Sequence, residues 1–380
     1  MKILLLAHDV SDAAVHKRVA MLRIGGADVS VAGFRRTPRP VLHVGDTPPT
    51  DFGRTFDGFF LQRIFTVLRE VLFIGRRNSL FQNCDVIIAR NLEMLAIAVT
   101  GRACCGNKKP KIIYECLDIH RLVLNKGIVG TWLRNLEGWL SKRASTLFTS
   151  SPAFVQNYFE PLSQIQLPVR IIENKILDAD QNIETPNQSR QATEPWVIGW
   201  FGIIRCRKSL DILAELVQHN AGKIKVIIRG RPALDQFDDF HAIIANTPGL
   251  EFGGVYTATE LPALYRDVHF SWAIDMYEEG QNSAWLLPNR LYEGCAHHAV
   301  PIALDNVETG TWLKRHNIGI VLSLPLAQSL SRFFNKITSQ QYAMLEKAVM
   351  NVSRDTWIAD RKECVELVDY LRSVKDPLNA

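Results

Sequence analysis

Three cations follow an apolar stretch in the second half of the chain, at a position where a phosphate group could bind. Residues 196–202, WVIGWFG, predict a buried strand that stops at Gly202, and a helix is predicted over 209–219. The cations between them are Arg205, Arg207 and Lys208. Because a helix start presents free backbone N–H groups and arginine binds phosphate through two donors, this pattern favours a diphosphate ligand. The alternative is a solvated basic turn.

A second pair of cations follows the next predicted strand. The stretch 225–230, KVIIRG, has the composition of a buried strand, and Arg229 and Arg231 lie at its carboxyl end. Since parallel strands end at the same edge of a sheet, we expect these arginines to lie near the first cluster. Two cationic clusters at neighbouring strand ends favour an anion site over a solvated turn.

A polar loop further along the chain enters another helix. Pro288 stands at a position typical of helix starts, where its missing N–H costs little. Asn289 and Arg290 then lie in the first turn and Glu293 one turn later, so that these side chains can face one ligand. A carboxylate there suits the two hydroxyls of a ribose, and the alternative is an exposed ion pair. The polar side chains of this segment are Asn282, Ser283, Asn289, Arg290 and Glu293.

These segments resemble the donor-binding blocks of family 4 glycosyltransferases with the GT-B fold. The likeness rests on three stretches: Gly202–Lys208, Pro288–Glu293 and Ala299–Pro301. It implies that Arg205 and Lys208 bind the nucleotide diphosphate and that Glu293 binds the ribose. Tyr256 falls where the family contacts the base. The resemblance extends along the whole chain and includes the bacterial exopolysaccharide enzymes of the succinoglycan and xanthan type.

Two positions depart from the family pattern. Trp285 stands where retaining members carry an additional acid, and Ile203 stands where an arginine is usual. The first departure favours an inverting mechanism over a retaining one. The side chains left to replace the missing groups are Asn282 and Ser283 at the sugar, and Arg205 or Arg207 at the phosphate.

An inverting transfer needs a group that removes the proton from the acceptor hydroxyl. The predicted strand 111–114 ends in a loop that contains Asp118 and His120, and we expect both to be catalytic, with Asp118 as the general base. Asp118 resembles the loop aspartate of inverting exopolysaccharide glycosyltransferases, and the alternative is that it caps the next segment. The loop after the first strand holds the candidates for acceptor binding or for the base itself: His8, Asp9 and Asp12.

Strands and helices alternate along the sequence, which indicates α/β sheets with parallel strands and right-handed crossovers. We predict two Rossmann-like domains that face each other across a cleft. No glycine-rich dinucleotide motif or P-loop follows the first strand, which argues against a dehydrogenase or a P-loop kinase. The predicted regions are an acceptor-binding domain (1–178), a polar linker (179–194), a donor domain (195–354) and a terminal helix that packs back on the first domain (355–380).

The distribution of charge separates the two halves of the chain. The 380 residues carry a net charge of only +5, which argues against a nucleic-acid-binding protein. Residues 1–180 contain 24 lysines and arginines against 16 acidic residues, so this half is basic and suits an anionic partner. The 7 cysteines lack the spacing of a zinc site or a disulfide framework, and the first residues do not resemble a signal peptide.

The segment 59–77 is unusually apolar for a surface segment. Its predicted helix has a wide apolar face with Ile64, Phe65, Leu68, Val71 and Leu72, and the cations beside it are Arg63, Arg69, Arg76 and Arg77. A helix of this kind can lie in the interface of an anionic membrane. The alternative is an ordinary helix packed on the first sheet.

Together these patterns predict a transfer of a hexose from a nucleotide-diphosphate sugar, with UDP as the expected nucleotide, to an oligosaccharide on a polyprenyl diphosphate in exopolysaccharide synthesis. We expect a cytoplasmic enzyme on the inner face of the membrane that uses no cofactor or metal, because cations can neutralise the leaving diphosphate. The alternatives are a nucleotide-sugar epimerase on the same fold and a non-catalytic partner protein. The sequence does not indicate an oligomeric state.

Overall fold

The chain forms two compact units. The computed structural model describes residues 1–56, 60–106, 109–181, 183 and 190–376. The first unit comprises Met1–Glu173 together with the chain from Asp360 onward, and the second comprises Asn174–Ala359. Each unit has its own parallel sheet and helices, so the predicted α/β class with two Rossmann-like sheets is confirmed.

The sheet of the first unit has seven parallel strands. They are β1 (Lys2–Ala7), β2 (Asp28–Arg35), β3 (Thr50–Arg54), β4 (Val86–Arg90), β5 (Lys111–Glu115), β6 (Thr146–Thr149) and β7 (Val169–Ile171), in the spatial order β3-β2-β1-β4-β5-β6-β7. The central strands are continuous apolar runs and are buried, as expected for a parallel sheet covered on both faces.

Helices connect these strands. They are α1 (Ala13–Ile24), α2 (Phe60–Phe73), α3 (Asn78–Gln82), α4 (Asn91–Ala103), α5 (Arg121–Leu124), α6 (Ile128–Ser141) and α7 (Pro152–Phe154). Helices α2 and α6 both pack against α4.

The sheet of the second unit repeats this strand order. Its strands are β9 (Trp196–Ile204), β10 (Ile224–Pro232), β11 (Leu250–Phe252), β12 (Phe270–Trp272), β13 (Val300–Leu304) and β14 (Ile320–Leu322), in the order β11-β10-β9-β12-β13-β14. In both sheets the third strand along the chain lies at one edge and the chain then crosses to the far side of the first strand. This is the order of the doubly wound Rossmann fold.

The remaining helices follow these strands. They are α8 (Arg207–His219), α9 (Phe240–Asn246), α10 (Leu261–Arg266), α11 (Asn282–Trp285), α12 (Asn289–Ala296), α13 (Glu308–His316), α14 (Leu326–Phe334), α15 (Ser339–Met350) and α16 (Arg361–Ser373). Helix α16 belongs to the first unit and packs on α1. The approach is close, because a Cβ added at Gly25 would lie 2.2 Å from the carbonyl oxygen of Cys364.

The boundaries between the units differ by a few residues from the predicted ones. A small parallel sheet pairs β8 (Ile176–Leu177) with β15 (Ile358–Ala359), and this pairing places both segments in the second unit. The units therefore divide after Glu173 and after Ala359. Strands of two residues carry too little pattern to be recognised in a sequence. Much of the predicted linker 179–194 lies outside the described residues.

Strand β9 does not stop at Gly202, as was predicted, but continues to Ile204. Gly202 pairs with Gly230 of β10, and both adopt positive φ angles, of 119° and 135°. A Cβ at Gly230 would lie 1.7 Å from the carbonyl oxygen of Gly202, so this close approach of the two strands requires a glycine. Within the described residues, no helix has the length and apolar character needed to cross a membrane.

Candidate functional site

Polar side chains collect in each unit where the strand order reverses. In the second unit this point lies between β9 and β12, and in the first unit it lies between β1 and β4. Ligands of doubly wound sheets bind beyond the carboxyl ends of the strands at this point. The loops that begin there carry Arg205 and Asp275 in the second unit and His8 and Asn91 in the first.

Asp275 organises the polar side chains of the second unit. One of its carboxylate oxygens accepts hydrogen bonds from the Ser283 hydroxyl at 2.6 Å and from the backbone N–H of Tyr277 at 3.0 Å. The guanidinium groups of Arg290 and Arg205 lie 3.6 and 4.0 Å from the other oxygen. Arg205 also lies over the ring of Tyr277, at 4.5 Å from its centre. Asp275 thus connects the β9 loop to α12.

The charges of this cluster do not cancel. Burial alone would raise the pKa of Asp275, but Arg290 and the hydrogen bond from Ser283 outweigh burial and hold that pKa below its usual value. The carboxylate is therefore ionised at neutral pH. One negative charge faces two arginines, and the remaining positive charge favours an anionic ligand.

Arg290 has a donor available for such a ligand. It lies in the first turn of α12, and one of its terminal nitrogens donates to the carbonyl oxygen of Ile274 at 2.6 Å. Its Nε is buried and has no hydrogen-bond partner in the described part of the chain. A buried donor without a partner costs about 1–3 kcal/mol, which a phosphate oxygen could recover. Asn289 is exposed at the first position of the same helix.

Lys208 and Arg231 are the other predicted phosphate ligands near the carboxyl edge of this sheet. Lys208 is half exposed and pairs with Glu279 at 2.6 Å. Arg231 lies opposite Ile203 in the strand register and is exposed. Arg229 has a different task, because it donates to the carbonyl oxygens of residues 254 and 255 and fixes that loop.

Arg207 does not join this cluster. As the first residue of α8 it pairs with Asp211 of the same helix and with Asp239 before α9, each at 2.8 Å. The hydrogen bond that its guanidinium donates to Asp211 raises the pKa of Arg207. The sequence grouped Arg207 with Arg205 because they lie two residues apart, but the helix start directs them to different carboxylates.

Glu293 and Tyr256, the residues predicted to contact the ribose and the base, lie close together. Burial, and then the charge of Glu293, raise the pKa of Tyr256 to about 12. The hydroxyl of the fully buried Tyr265 donates to Glu293 at 3.3 Å. Tyr265 is itself held between Phe201, at 4.9 Å, and His297, whose ring is nearly parallel to it at 5.9 Å. Glu293 is therefore oriented by a rigid aromatic cluster.

Asn282 and Ser283 are buried in the short helix α11. The Ser283 hydroxyl donates to Asp275 and accepts the backbone N–H of Glu278 at 2.9 Å. Ser283 thus positions Asp275, and its direct contact with the sugar stays a prediction.

The first unit presents histidines and acids at the corresponding place. His8 follows β1 and is half buried, and its Nδ1 lies 3.2 Å from the side-chain amide of Asn91. Asn91 starts α4 with a φ of 70°. Glu93, in the first turn of α4, forms an ion pair with Arg63 of α2. Burial lowers the pKa of His8 although Glu93 opposes this effect, so its imidazole is neutral at physiological pH.

The predicted catalytic pair follows the neighbouring strand. Asp118 is exposed on a bend after β5. His120 is the N-cap of α5, where its Nδ1 accepts the backbone N–H of Leu122 at 3.3 Å. Burial and the charge of Arg63 lower the pKa of His120, while Glu93 raises it, so His120 lies within electrostatic reach of the Arg63–Glu93 pair.

Asp9 and Asp12, which were predicted to bind the acceptor, support the fold of the first loop. Asp9 is buried and accepts the hydroxyl and the backbone N–H of Ser11, at 2.6 and 3.0 Å. Asp12 caps α1 by accepting the backbone N–H of Ala14 at 2.9 Å. Capping and turn formation are the usual tasks of aspartate at such positions. Acceptor binding by His8, Asp9 and Asp12 stays a prediction.

Four residues of these clusters were not identified as candidate site residues from the sequence. Asp275 comes three residues after β12, Asn91 directly follows β4, and Glu93 comes two residues later. The rule that ligands bind beyond strand ends could have found all three. Tyr265 could not have been identified in this way, because nothing in the local sequence distinguishes it from other aromatic residues on helices. Among the described residues, no group of three or more His, Cys, Asp or Glu side chains could hold a metal ion.

Comparisons with known proteins agree with this geometry. No model of a protein family matches the chain. The succinoglycan biosynthesis protein ExoL of Rhizobium meliloti (strain 1021) is 46% identical over 379 residues, which is 98% of this chain and 94% of ExoL.

Solved structures with the same fold are much more distant in sequence. HepE of Anabaena, determined with UDP and glucose, has a TM-score of 0.71 at 15% identity, over 98% of this chain and 99% of that one. The lipopolysaccharide outer core galactosyltransferase WaaB has a TM-score of 0.65 at 12% identity, over 98% and 99%. The chain therefore belongs to the family of the succinoglycan biosynthesis protein ExoL, and its fold is the GT-B fold of glycosyltransferases that the sequence motifs predicted.

Proposed function

We propose that this protein is a glycosyltransferase that moves a hexose from a UDP-sugar to a lipid-linked oligosaccharide in exopolysaccharide synthesis. The observation that carries the proposal is the cluster of Arg205 and Arg290 around Asp275, with a free buried donor at the start of α12. The family of ExoL and the UDP bound to HepE support the choice of donor. The two alternatives, an epimerase and a non-catalytic partner, are not favoured by these relatives.

The second unit binds the donor in this proposal. Arg205, Lys208 and Arg290 bind the diphosphate, Glu293 binds the ribose, and Tyr256 contacts the base. As the bond from the anomeric carbon to the diphosphate breaks, its electron pair goes to the leaving UDP. The arginines and the N–H groups of α12 stabilise that developing charge, which is the largest electrostatic contribution available here.

The first unit supplies the base and holds the acceptor. The acceptor oxygen bonds to the anomeric carbon while its proton passes to the Asp118 carboxylate, and the configuration at that carbon inverts. His120 orients the acceptor beside Asp118. His8 is neutral and can accept or donate a hydrogen bond to a sugar hydroxyl.

A lipid-linked acceptor explains the exposed apolar side chains of α2. Phe65, Leu68 and Leu72 point to solvent, whereas Thr66 and Glu70 on the opposite side of the helix are buried. A surface helix normally buries its apolar side. We therefore propose that α2 contacts the cytoplasmic face of the membrane, where a polyprenyl diphosphate would be anchored.

A panel of nucleotide sugars tests the donor class. Thermal unfolding is measured with UDP-glucose, UDP-galactose, GDP-mannose and UDP alone, because a ligand that binds the folded state raises the unfolding temperature. We expect UDP and at least one UDP-hexose to raise it, and GDP-mannose to leave it unchanged. A protein that no UDP compound stabilises at millimolar concentration would contradict the proposal.

A further inference from the structure

Helix α6 of the first unit buries its one acidic side chain and exposes several large apolar ones. Its Glu137 is buried and accepts the hydroxyl of Tyr158 at 2.6 Å. Four of its large apolar side chains are exposed: Ile128 at 90%, Val129 at 54%, Trp132 at 60% and Trp139 at 51%. Exposed side chains of this size on one helix face usually mark an interaction surface.

The exposed charges of the stretch 121–143, which contains α6, have one sign. Between residues 121 and 143 the cations are Arg121, Lys126, Arg134, Lys142 and Arg143, and Glu137 is the one acidic residue of this stretch of sequence. Because Glu137 is buried, no carboxylate of this stretch reaches the surface. The guanidinium of Arg143 lies over the ring of Trp139, at 4.1 Å from its centre. The outer face of α6 is therefore both apolar and basic.

Helix α2 has the same construction. The acid within it, Glu70, is buried and accepts a hydrogen bond from Arg77 at 3.1 Å, while Phe65 and Leu72 are 71% and 77% exposed. Both α2 and α6 pack on α4, which has no exposed residue between 91 and 102. The two outer faces therefore lie on the same side of the first sheet, with α4 covered between them.

We propose that the outer faces of α2 and α6 form one binding surface for an anionic phospholipid bilayer, with the tryptophans of α6 inserted at the headgroup level. This surface deepens the proposed function, on which it rests, because it adds a second helix to the membrane contact of α2. Tryptophan prefers the boundary between headgroups and acyl chains, and each basic side chain near an anionic leaflet adds to the affinity.

The single sign of the charge argues against a second copy of the chain as the occupant. A symmetric dimer would place each patch against itself, so that the cations of one copy would meet those of the other. Like charges opposed across an interface are unfavourable, whereas anionic headgroups complement them. An anionic bilayer is therefore the occupant that fits both properties.

The surface adjoins the proposed acceptor site. Arg63, in the N-terminal part of α2, pairs with Glu93 at the start of α4. Ile128 begins α6 shortly after the loop that holds Asp118 and His120. A bilayer bound to α2 and α6 would therefore lie beside the edge of the sheet that faces the acceptor, which suits an acceptor whose diphosphate is anchored in lipid.

Vesicle flotation with the full chain tests this surface. The probes are vesicles of phosphatidylcholine alone and of phosphatidylcholine mixed with phosphatidylglycerol. We expect the wild type to float with the mixed vesicles and to be released by high salt, which screens the basic groups. The double variant Trp132→Ala/Trp139→Ala should bind the mixed vesicles roughly tenfold or more weakly, because two large apolar side chains no longer leave water.

Controls separate this surface from folding and from the donor site. Met344→Ala removes a comparably exposed apolar side chain from the second unit and should leave flotation unchanged. UDP binding should be equal in the wild type and the double variant. If neither protein bound UDP, the proposed donor would be wrong, whereas the membrane surface would still be judged by flotation. Unchanged flotation of the double variant would overturn the proposal. So would a wild-type dimer that the double variant dissociates and that binds no vesicles.

Discussion

The two units have the same strand order but place opposite chemistry at the point where that order reverses. In the second unit, arginines surround one ionised carboxylate, and the cluster keeps a positive charge. In the first unit, a neutral His8 lies beside Asn91, and the charges of Glu93 and Arg63 neutralise each other. The first arrangement suits a phosphate and the second suits hydroxyl groups and the transfer of a proton.

The strand order therefore fixes where a ligand binds, and the loop residues determine which chemistry takes place there. Parallel strands bring several loop starts to one edge, and that property is common to both sheets. What each edge binds depends on a few side chains such as Asp275 and His8. Variants at these positions can therefore test whether the units divide donor binding and proton transfer between them.

The largest effect is expected from Asp118→Asn in the first unit. An amide cannot take the proton of the acceptor hydroxyl, so kcat for sugar transfer should fall about 10²–10⁴-fold. Binding of the UDP-sugar, measured by calorimetry, should stay unchanged. Asp46→Asn is the matched control, since Asp46 is fully exposed in the same unit and should keep wild-type activity. Full turnover by Asp118→Asn would reassign the base.

The second largest effect is expected from Arg290→Ala in the second unit. Loss of a guanidinium that stabilises the leaving diphosphate should lower kcat/KM about 10²–10³-fold, and the affinity for UDP should fall as well. Arg207→Ala is the matched control, because Arg207 pairs with Asp211 and Asp239. It should change UDP affinity less than threefold or so, as expected for an exposed ion pair. Equal losses in both variants would show that the two arginines share the site.

A smaller effect concerns stability in acid. Burial, and then the charge of Arg190, lower the pKa of His297 to about 4 in the folded protein. In the unfolded chain the same imidazole is protonated below about pH 6.5. Stability should therefore fall as the pH drops from 6.5 to 4, by about 3 kcal/mol at most from this group. His297→Phe should keep the contact with Tyr265. The free energy of unfolding in urea should then depend less on pH between about 6.5 and 4. A profile parallel to that of the wild type would rule out this origin.

Much of the fold could be predicted from the sequence, since buried parallel strands are continuous apolar runs. The strand β10 and the helix start at Asn289 are examples in which local pattern and structure agree. The exceptions have physical causes. Strands β8 and β15 have two residues each and come from distant parts of the chain, and such a short pairing leaves no local sequence pattern.

The site was predicted less completely than the fold. Residue type and spacing indicated Arg205, Arg290 and Glu293, which strand ends and a helix turn place together. Residue type and spacing could not show that Arg207 forms an ion pair with Asp239 or that Asp9 accepts a hydrogen bond from Ser11 of its own loop. Such choices depend on which partners the fold brings within a few ångströms, and sequence distance does not report them.

One measurement tests the division of work most directly: the affinity for a UDP-hexose and the rate of transfer, determined side by side for Asp118→Asn and Arg290→Ala. The account predicts that Asp118→Asn binds the donor as the wild type does and barely transfers it, whereas Arg290→Ala loses affinity for the donor. If Asp118→Asn lost donor binding, or if Arg290→Ala bound the donor normally, the assignment of the donor to one unit and the base to the other would be wrong.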